Sequence, residues 1–200
     1  MNNLSGMLGG FYLLLFLSGC LSIGSGQLTN SIPIPAGKFK VQHKLPRGFC
    51  LDRSANNSTG LGETLVVTNC IEVNNGDKLY FSRRPVDTIV NITFTQSRVP
   101  KKISKKKYLS EIAEKIEFKK FTAAFSNKKL IYGEKKLQNE FFYVNFRMVS
   151  ASKRKEFVRK YFFLVDNKVV VMTIVSFHKP RKSTYSSFES FIKKLSKVSS

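Results

Sequence analysis

Apolar and polar residues alternate through Phe39-Lys-Val-Gln-His-Lys-Leu45, as they do on a strand with one face toward a core and the other toward water. Pro46-Arg-Gly48 breaks the pattern. Glu63-Thr-Leu-Val-Val-Thr-Asn-Cys-Ile71 reads as a second strand, closed by the turn residues Asn74-Asn-Gly-Asp77. Between the two, Ser54-Ala-Asn-Asn-Ser-Thr-Gly-Leu-Gly62 is small and polar and reads as a flexible loop. Val86-Asp-Thr-Ile-Val-Asn-Ile-Thr-Phe-Thr95 is a third strand, rich in β-branched residues. The period then lengthens. From Ser104 to Phe118, Tyr108, Ile112 and Ile116 recur one helical turn apart, with Leu109 and Ala113 beside them. That is one face of a helix, and Ser104 is placed to cap it.

Strand patterns resume at Lys129-Leu-Ile-Tyr132 and Glu140-Phe-Phe-Tyr-Val-Asn-Phe-Arg-Met-Val149. Two longer runs follow, Glu156 to Val165 and Lys168 to Phe177, joined by Asp166-Asn167; a two-residue link of this type predicts a tight hairpin. Ser186-Ser-Phe-Glu189 has the form of a capping box, after which Phe188, Phe191, Ile192 and Leu195 share one helical face. The expected class is α+β, an antiparallel sheet with two main helices packed on it. This order of elements, from Phe39 to Val198 and closing on Phe188-Glu-Ser-Phe191, resembles the PsbP-like α/β/α sandwich. Leu45-Pro-Arg-Gly-Phe-Cys-Leu-Asp52 resembles a segment of uncharacterised exported bacterial proteins. Both resemblances imply a scaffolding or assembly role rather than catalysis.

The N-terminus has a different pattern. Phe11-Tyr-Leu-Leu-Leu-Phe-Leu17 is too short to span a bilayer, which needs about 20 apolar residues, and matches the apolar region of a secretory signal. No Lys or Arg precedes it. Leu17-Ser-Gly-Cys20 resembles the lipobox of bacterial lipoproteins. The resemblance implies acylation of the Cys20 thiol and cleavage before it, by a peptidase that needs small neighbours such as Ser18 and Gly19. Residues 1–19 are then a signal peptide. Residues 20–37, small, uncharged and stiffened by Ile32-Pro-Ile-Pro, are a tether. Residues 38–200 are a single domain. Leu21, which is not Asp, fits sorting to an outer membrane, so the expected location is the cell envelope, facing the periplasm.

Three cysteines are an awkward number for an exported chain. With Cys20 lipidated, Cys50 and Cys70 remain as a pair, and an oxidising compartment permits their disulfide. Closing a loop of that size contributes roughly 3 kcal/mol. The alternative is two buried free thiols. No His neighbours either cysteine, so neither a metal nor another cofactor is expected.

Catalytic signatures are missing: there is no Gly-x-Ser-x-Gly, no His-Glu-x-x-His and no phosphate-cradling Gly loop. Ser-x-x-Lys recurs without a Lys-Thr-Gly partner. His43 and His178 read as surface or edge residues. Charge is the salient feature. Lys and Arg number 34 against 13 Asp and Glu, a net +21, all beyond Cys20. Lys101, Lys102, Lys105, Lys106 and Lys107 crowd into one short stretch. Export removes nucleic acid as a partner and leaves anionic lipid or lipopolysaccharide, each Lys near such a surface contributing about 1 kcal/mol. The bland alternative is compositional drift, since 25 of the 34 cations are Lys. The leading expectation is a non-enzymatic, membrane-anchored envelope lipoprotein that binds an anionic envelope component or an envelope protein. Two others are a lipid or small-molecule carrier, with its cavity behind Phe142, Val144 and Phe146, and an enzyme of unfamiliar type.

Overall fold

β-Branched and aromatic residues fill the runs on either side of Asp166-Asn167, and these runs lie near the middle of the sheet. The computed structural model describes residues 28–36, 39–59, 62–70, 87–100, 102–116, 128–150 and 153–198. They form β1 (Leu28–Thr29), β2 (Ser31–Ala36), β3 (Phe39–Lys44), β4 (Phe49–Thr59), β5 (Gly62–Asn69), β6 (Thr88–Arg98), α1 (Lys105–Lys115), β7 (Lys128–Leu137), β8 (Phe141–Ser150), β9 (Lys155–Val165), β10 (Lys168–Ser176) and α2 (Lys182–Leu195). Eight strands make one antiparallel sheet in the order β1-β4-β5-β6-β10-β9-β8-β7, and β2 pairs with β3 separately.

The β9–β10 hairpin forms as expected. Asp166 and Asn167 have φ of 48° and 58°, the two left-handed positions of a turn whose twist matches that of its strands. Gly62 opens β5 with φ of 142°, and a Cβ there would strike the Phe94 carbonyl on β6. Side-chain parity divides the core in two. Phe141, Tyr143, Tyr161, Phe163, Met172 and Ile92 point to one face and pack with Phe188, Phe191, Ile192 and Leu195 of α2. Phe142, Val144, Phe146, Val158, Phe162 and Leu164 point to the other and pack with Leu109 and Ala113 of α1. β8 and β9 therefore bury apolar residues on both faces, with Asn145, Arg147 and Arg159 interrupting the α2 side. On β5 and β6 the second face is more polar, where Thr64 and Thr93 hydroxyls meet at 3.0 Å.

Several expectations need correction. The class is mainly β, not α+β: ten strands stand against two helices of 11 and 14 residues among the described residues. Part of the expected tether is folded. Ile32 and Ile34 are fully buried in the α2-side core, and Leu45 N–H donates to the Asn30 carbonyl at 2.8 Å, so the domain includes residues 28–36. Most of the expected Ser54–Gly62 loop extends β4, which pairs with β5 on both sides of an irregularity between Asp52 and Asn57. The capping box is not used. α2 begins at Lys182 after Arg181, which makes no side-chain cap bond, because the apolar stripe already starts at Tyr185. Ser186 Oγ instead donates to the Ser183 carbonyl at 3.1 Å. Ser104 does cap α1, accepting from Lys107 N–H at 3.3 Å.

Candidate functional site

Cys50 on β4 and Cys70 just after β5 are joined by a disulfide, with Cα atoms 5.0 Å apart. The bond lies beside the pair Cys50↔Thr68, so it secures an end of two strands already in register. Cys20 lies outside the described residues, as does Lys101. Lys102 is exposed in the turn before α1, and Lys105, Lys106 and Lys107 are exposed in its first turn, where there is no acidic residue. Helix N-termini carry positive partial charge, so these lysines add to it rather than offset it. Sequence neighbours thus stay neighbours in space.

Phe142, Val144 and Phe146 are buried in the core that packs with α1. A groove of about 600 Å³ opens between the β7–β9 edge of the sheet and the chain leading into α2, and Phe146 is among the residues that line it. Ile131, Phe157, Pro180 and Tyr185 give it apolar walls, and Arg147, Arg159, Lys179 and Lys182 bring four cations to it.

Strand parity explains the arginines. Tyr143, Asn145 and Arg147 alternate on β8, Arg159 and Tyr161 on β9, and Asn145 sits opposite Arg159 in the ladder. Arg159 Nε donates to Asn145 Oδ1 at 2.6 Å, and its Nη1 donates to Tyr161 Oη at 3.2 Å and to Glu189 Oε1 at 3.1 Å. Its guanidinium lies 3.7 Å from the Tyr185 ring centre and 4.3 Å from that of Tyr143. Aromatic faces and a carboxylate are what a largely buried cation needs. The Tyr161 hydroxyl also donates to Glu189 Oε1 at 3.2 Å. Burial holds the Tyr161 phenol well above its ordinary pKa, which Arg159 opposes and Glu189 reinforces. Burial likewise raises Tyr185, against the pull of Arg159. Arg147 is different. Its Nε is buried and has no hydrogen-bond partner among the described residues.

Chemically this is a set of donors and cations, not a proton-transfer pair, since Glu189 is engaged by Arg159 and Tyr161. His178 Nε2 lies 3.7 Å from Asp87 Oδ1 in an exposed pair. His43 is half-buried on β3, where burial lowers its pKa. Among the described residues no group of His, Cys, Asp and Glu could hold a metal. None of their helices is long and apolar enough to cross a membrane. The arginine–tyrosine cluster went unread in the sequence because β8 and β9 looked uniformly apolar. Its signal was the alternation Tyr143, Asn145, Arg147 facing Arg159 and Tyr161.

The arrangement defines a mainly-β domain with a cation-lined groove at one sheet edge. No protein-family model matches the chain, and no curated protein does. Among solved structures it is similar to cyanobacterial PsbP (CyanoP) from Synechocystis sp. PCC 6803, with a TM-score of 0.40 and 11% identity, over 91% of this chain and 96% of that one. It is also similar to the Ran-binding protein Mog1p of Saccharomyces cerevisiae, with a TM-score of 0.36 and 9% identity, over 84% of this chain and 85% of that one. Both likenesses are weak and concern the course of the chain alone.

Proposed function

We propose that the protein is a non-enzymatic lipoprotein of a bacterial envelope, anchored through Cys20, whose domain binds an anionic envelope surface through the start of α1. The observation that supports this reading is the exposure of Lys102, Lys105, Lys106 and Lys107 together at a helix end that is itself positive. Anionic head groups or lipopolysaccharide phosphates are the partners such a surface attracts outside the cytoplasm. Each lysine close to them contributes about 1 kcal/mol, less as salt screens it.

Binding of the full chain carrying Cys20→Ser to acidic and to neutral vesicles tests the surface. Acidic vesicles should be bound and neutral ones ignored, with a steep loss between low and physiological salt. Replacing Lys101, Lys102, Lys105, Lys106 and Lys107 by Gln should remove most of the binding. Equal loss from any five lysines would mean diffuse charge with no site. Mass spectrometry of the native protein tests the anchor: an acylated N-terminal Cys20 is expected, and a mature chain that retains an unmodified Met1 excludes it.

A further inference from the structure

We infer that the groove between β7–β9 and α2 is a binding site for a single-chain amphiphile with a phosphate head. Three observations lead there. The first is shape and lining: about 600 Å³ of space walled by Ile131, Phe157, Pro180 and the ring of Tyr185. That volume falls within the roughly 300–1,000 Å³ of small-molecule sites, and such walls favour a hydrocarbon chain over a sugar or a nucleotide.

The second is charge. Of the four cations at the groove, Arg159 is matched by Glu189, its Nη1 3.1 Å from the carboxylate. Arg147, Lys179 and Lys182 remain to face an incoming group. A carboxylate would neutralise one of them. A phosphate monoester, at about −1.5 to −2 near neutral pH, offsets most of the excess and offers three acceptor oxygens. The third is the orphaned donor. Arg147 lines the groove, and its Nε is buried without a partner among the described residues, although a buried donor left unpaired costs on the order of 1–3 kcal/mol. A phosphate oxygen that draws this guanidinium toward the groove would satisfy it. Arg159, held by Asn145, Tyr161, Glu189 and two aromatic faces, is a fixed wall beside which a head group can settle without reorganising the protein.

This site is separate from the start of α1 and does not depend on the anchor. The experiment is calorimetric titration of the full chain carrying Cys20→Ser with myristoyl lysophosphatidic acid, below its micellar concentration. The zwitterionic choline ester of the same chain length and inorganic phosphate serve as the two controls. One lysophosphatidic acid should bind per chain, about tenfold or more tighter than either control, since loss of charge-assisted bonds to the head is worth at least that factor. Arg147→Gln with Lys182→Gln should weaken binding by about tenfold or more. Ile131→Trp, at an exposed position of the groove wall, should block the chain and do the same without touching a charge. The triple change Lys105→Gln, Lys106→Gln, Lys107→Gln should leave binding unchanged. Equal affinity for the choline ester, full competition by inorganic phosphate, or binding indifferent to both groove variants would each overturn the inference. Loss through the α1 triple variant alone would move the ligand to the basic surface and overturn it as well.

Discussion

Among the described residues, α1 packs on one face of the eight-stranded sheet and α2, with Ile32 and Ile34 of β2, on the other, and the two faces accommodate charge in opposite ways. Under α1, Phe142 and Phe162 stack with ring centres 4.5 Å apart and 4° between planes, amid Val144, Phe146 and Leu164. A cation works at the rim there: Lys135 Nζ donates to the Ala113 carbonyl at 2.8 Å, in the last turn of α1, where carbonyl dipoles favour positive charge. Under α2, the aromatic side chains meet edge to face, as Phe49 and Phe188 do at 4.8 Å, and Arg159 sits within the aromatic layer. A stacked pair of rings leaves no room between them for a guanidinium. A face of tilted tyrosines supplies π surface, a hydroxyl and the space beside it that becomes the groove.

The sharpest way to break this comparison is to excavate each face. Phe188→Ala, at a fully buried position, should cost about 3–5 kcal/mol, and Leu109→Ala under the shorter helix should fall toward the lower end of about 2–5 kcal/mol. Urea unfolding measures both, and a costlier Leu109 variant would mean that α1, not α2, dominates the fold.

A smaller effect should come from the ion pair. Glu189→Gln removes the charge partner of Arg159 while keeping a side chain of equal length, and should cost about 1.5–3 kcal/mol. No measurable change would mean that the tyrosines alone suffice to hold the guanidinium.

Alkaline pH provides a subtler probe. Tyr161 keeps its proton in the folded chain beyond its ordinary pKa of 10.0, so above that pH the unfolded chain binds fewer protons than the folded one. Its contribution to stability is then complete below about pH 10 and is lost as pH rises beyond it. Tyr161→Phe should flatten that decline relative to the parent; parallel curves would show that the phenol is not responsible. The smallest effect is expected at the start of α1. Lys105→Gln, Lys106→Gln and Lys107→Gln together should raise the thermal midpoint slightly, because they remove like charge from the positive helix end.

Legibility in the sequence followed periodicity. Asp166-Asn167 between two long apolar runs, and the helical period behind Ser104, each carried a local signal that tertiary packing did not override. α1 nonetheless buries Leu109 and Ala113, while Tyr108 and Ile112 are partly buried and Ile116 lies past its end in extended backbone. β2 was hidden because Pro33 and Pro35 look like tether residues. An edge strand tolerates proline where no ladder donor is needed, and Ile32 and Ile34 between them were the alternation that mattered. Asn56, Asn57 and Ser58 read as loop because that stretch of β4 is exposed, so it has no apolar face to reveal. The groove was illegible for another reason. Its residues come from β7, β8, β9 and the approach to α2, and only the strand register brings Asn145 opposite Arg159.

β7 has a consequence for how copies of this protein meet. Among the described residues it is the outermost strand beside β8, and the edge it presents is a template onto which a second molecule's sheet could extend. Exposed Lys129, Lys135 and Lys136 line it, and the register with β8 slips between Leu130 and Tyr132. Two such edges brought together repel each other and do not lie flat. At high concentration, where encounters between molecules are frequent, that repulsion opposes the fusion of their sheets into filaments. Making Lys129 and Lys136 neutral would turn the same surface into a site of self-association, detectable by light scattering at low salt before any loss of fold.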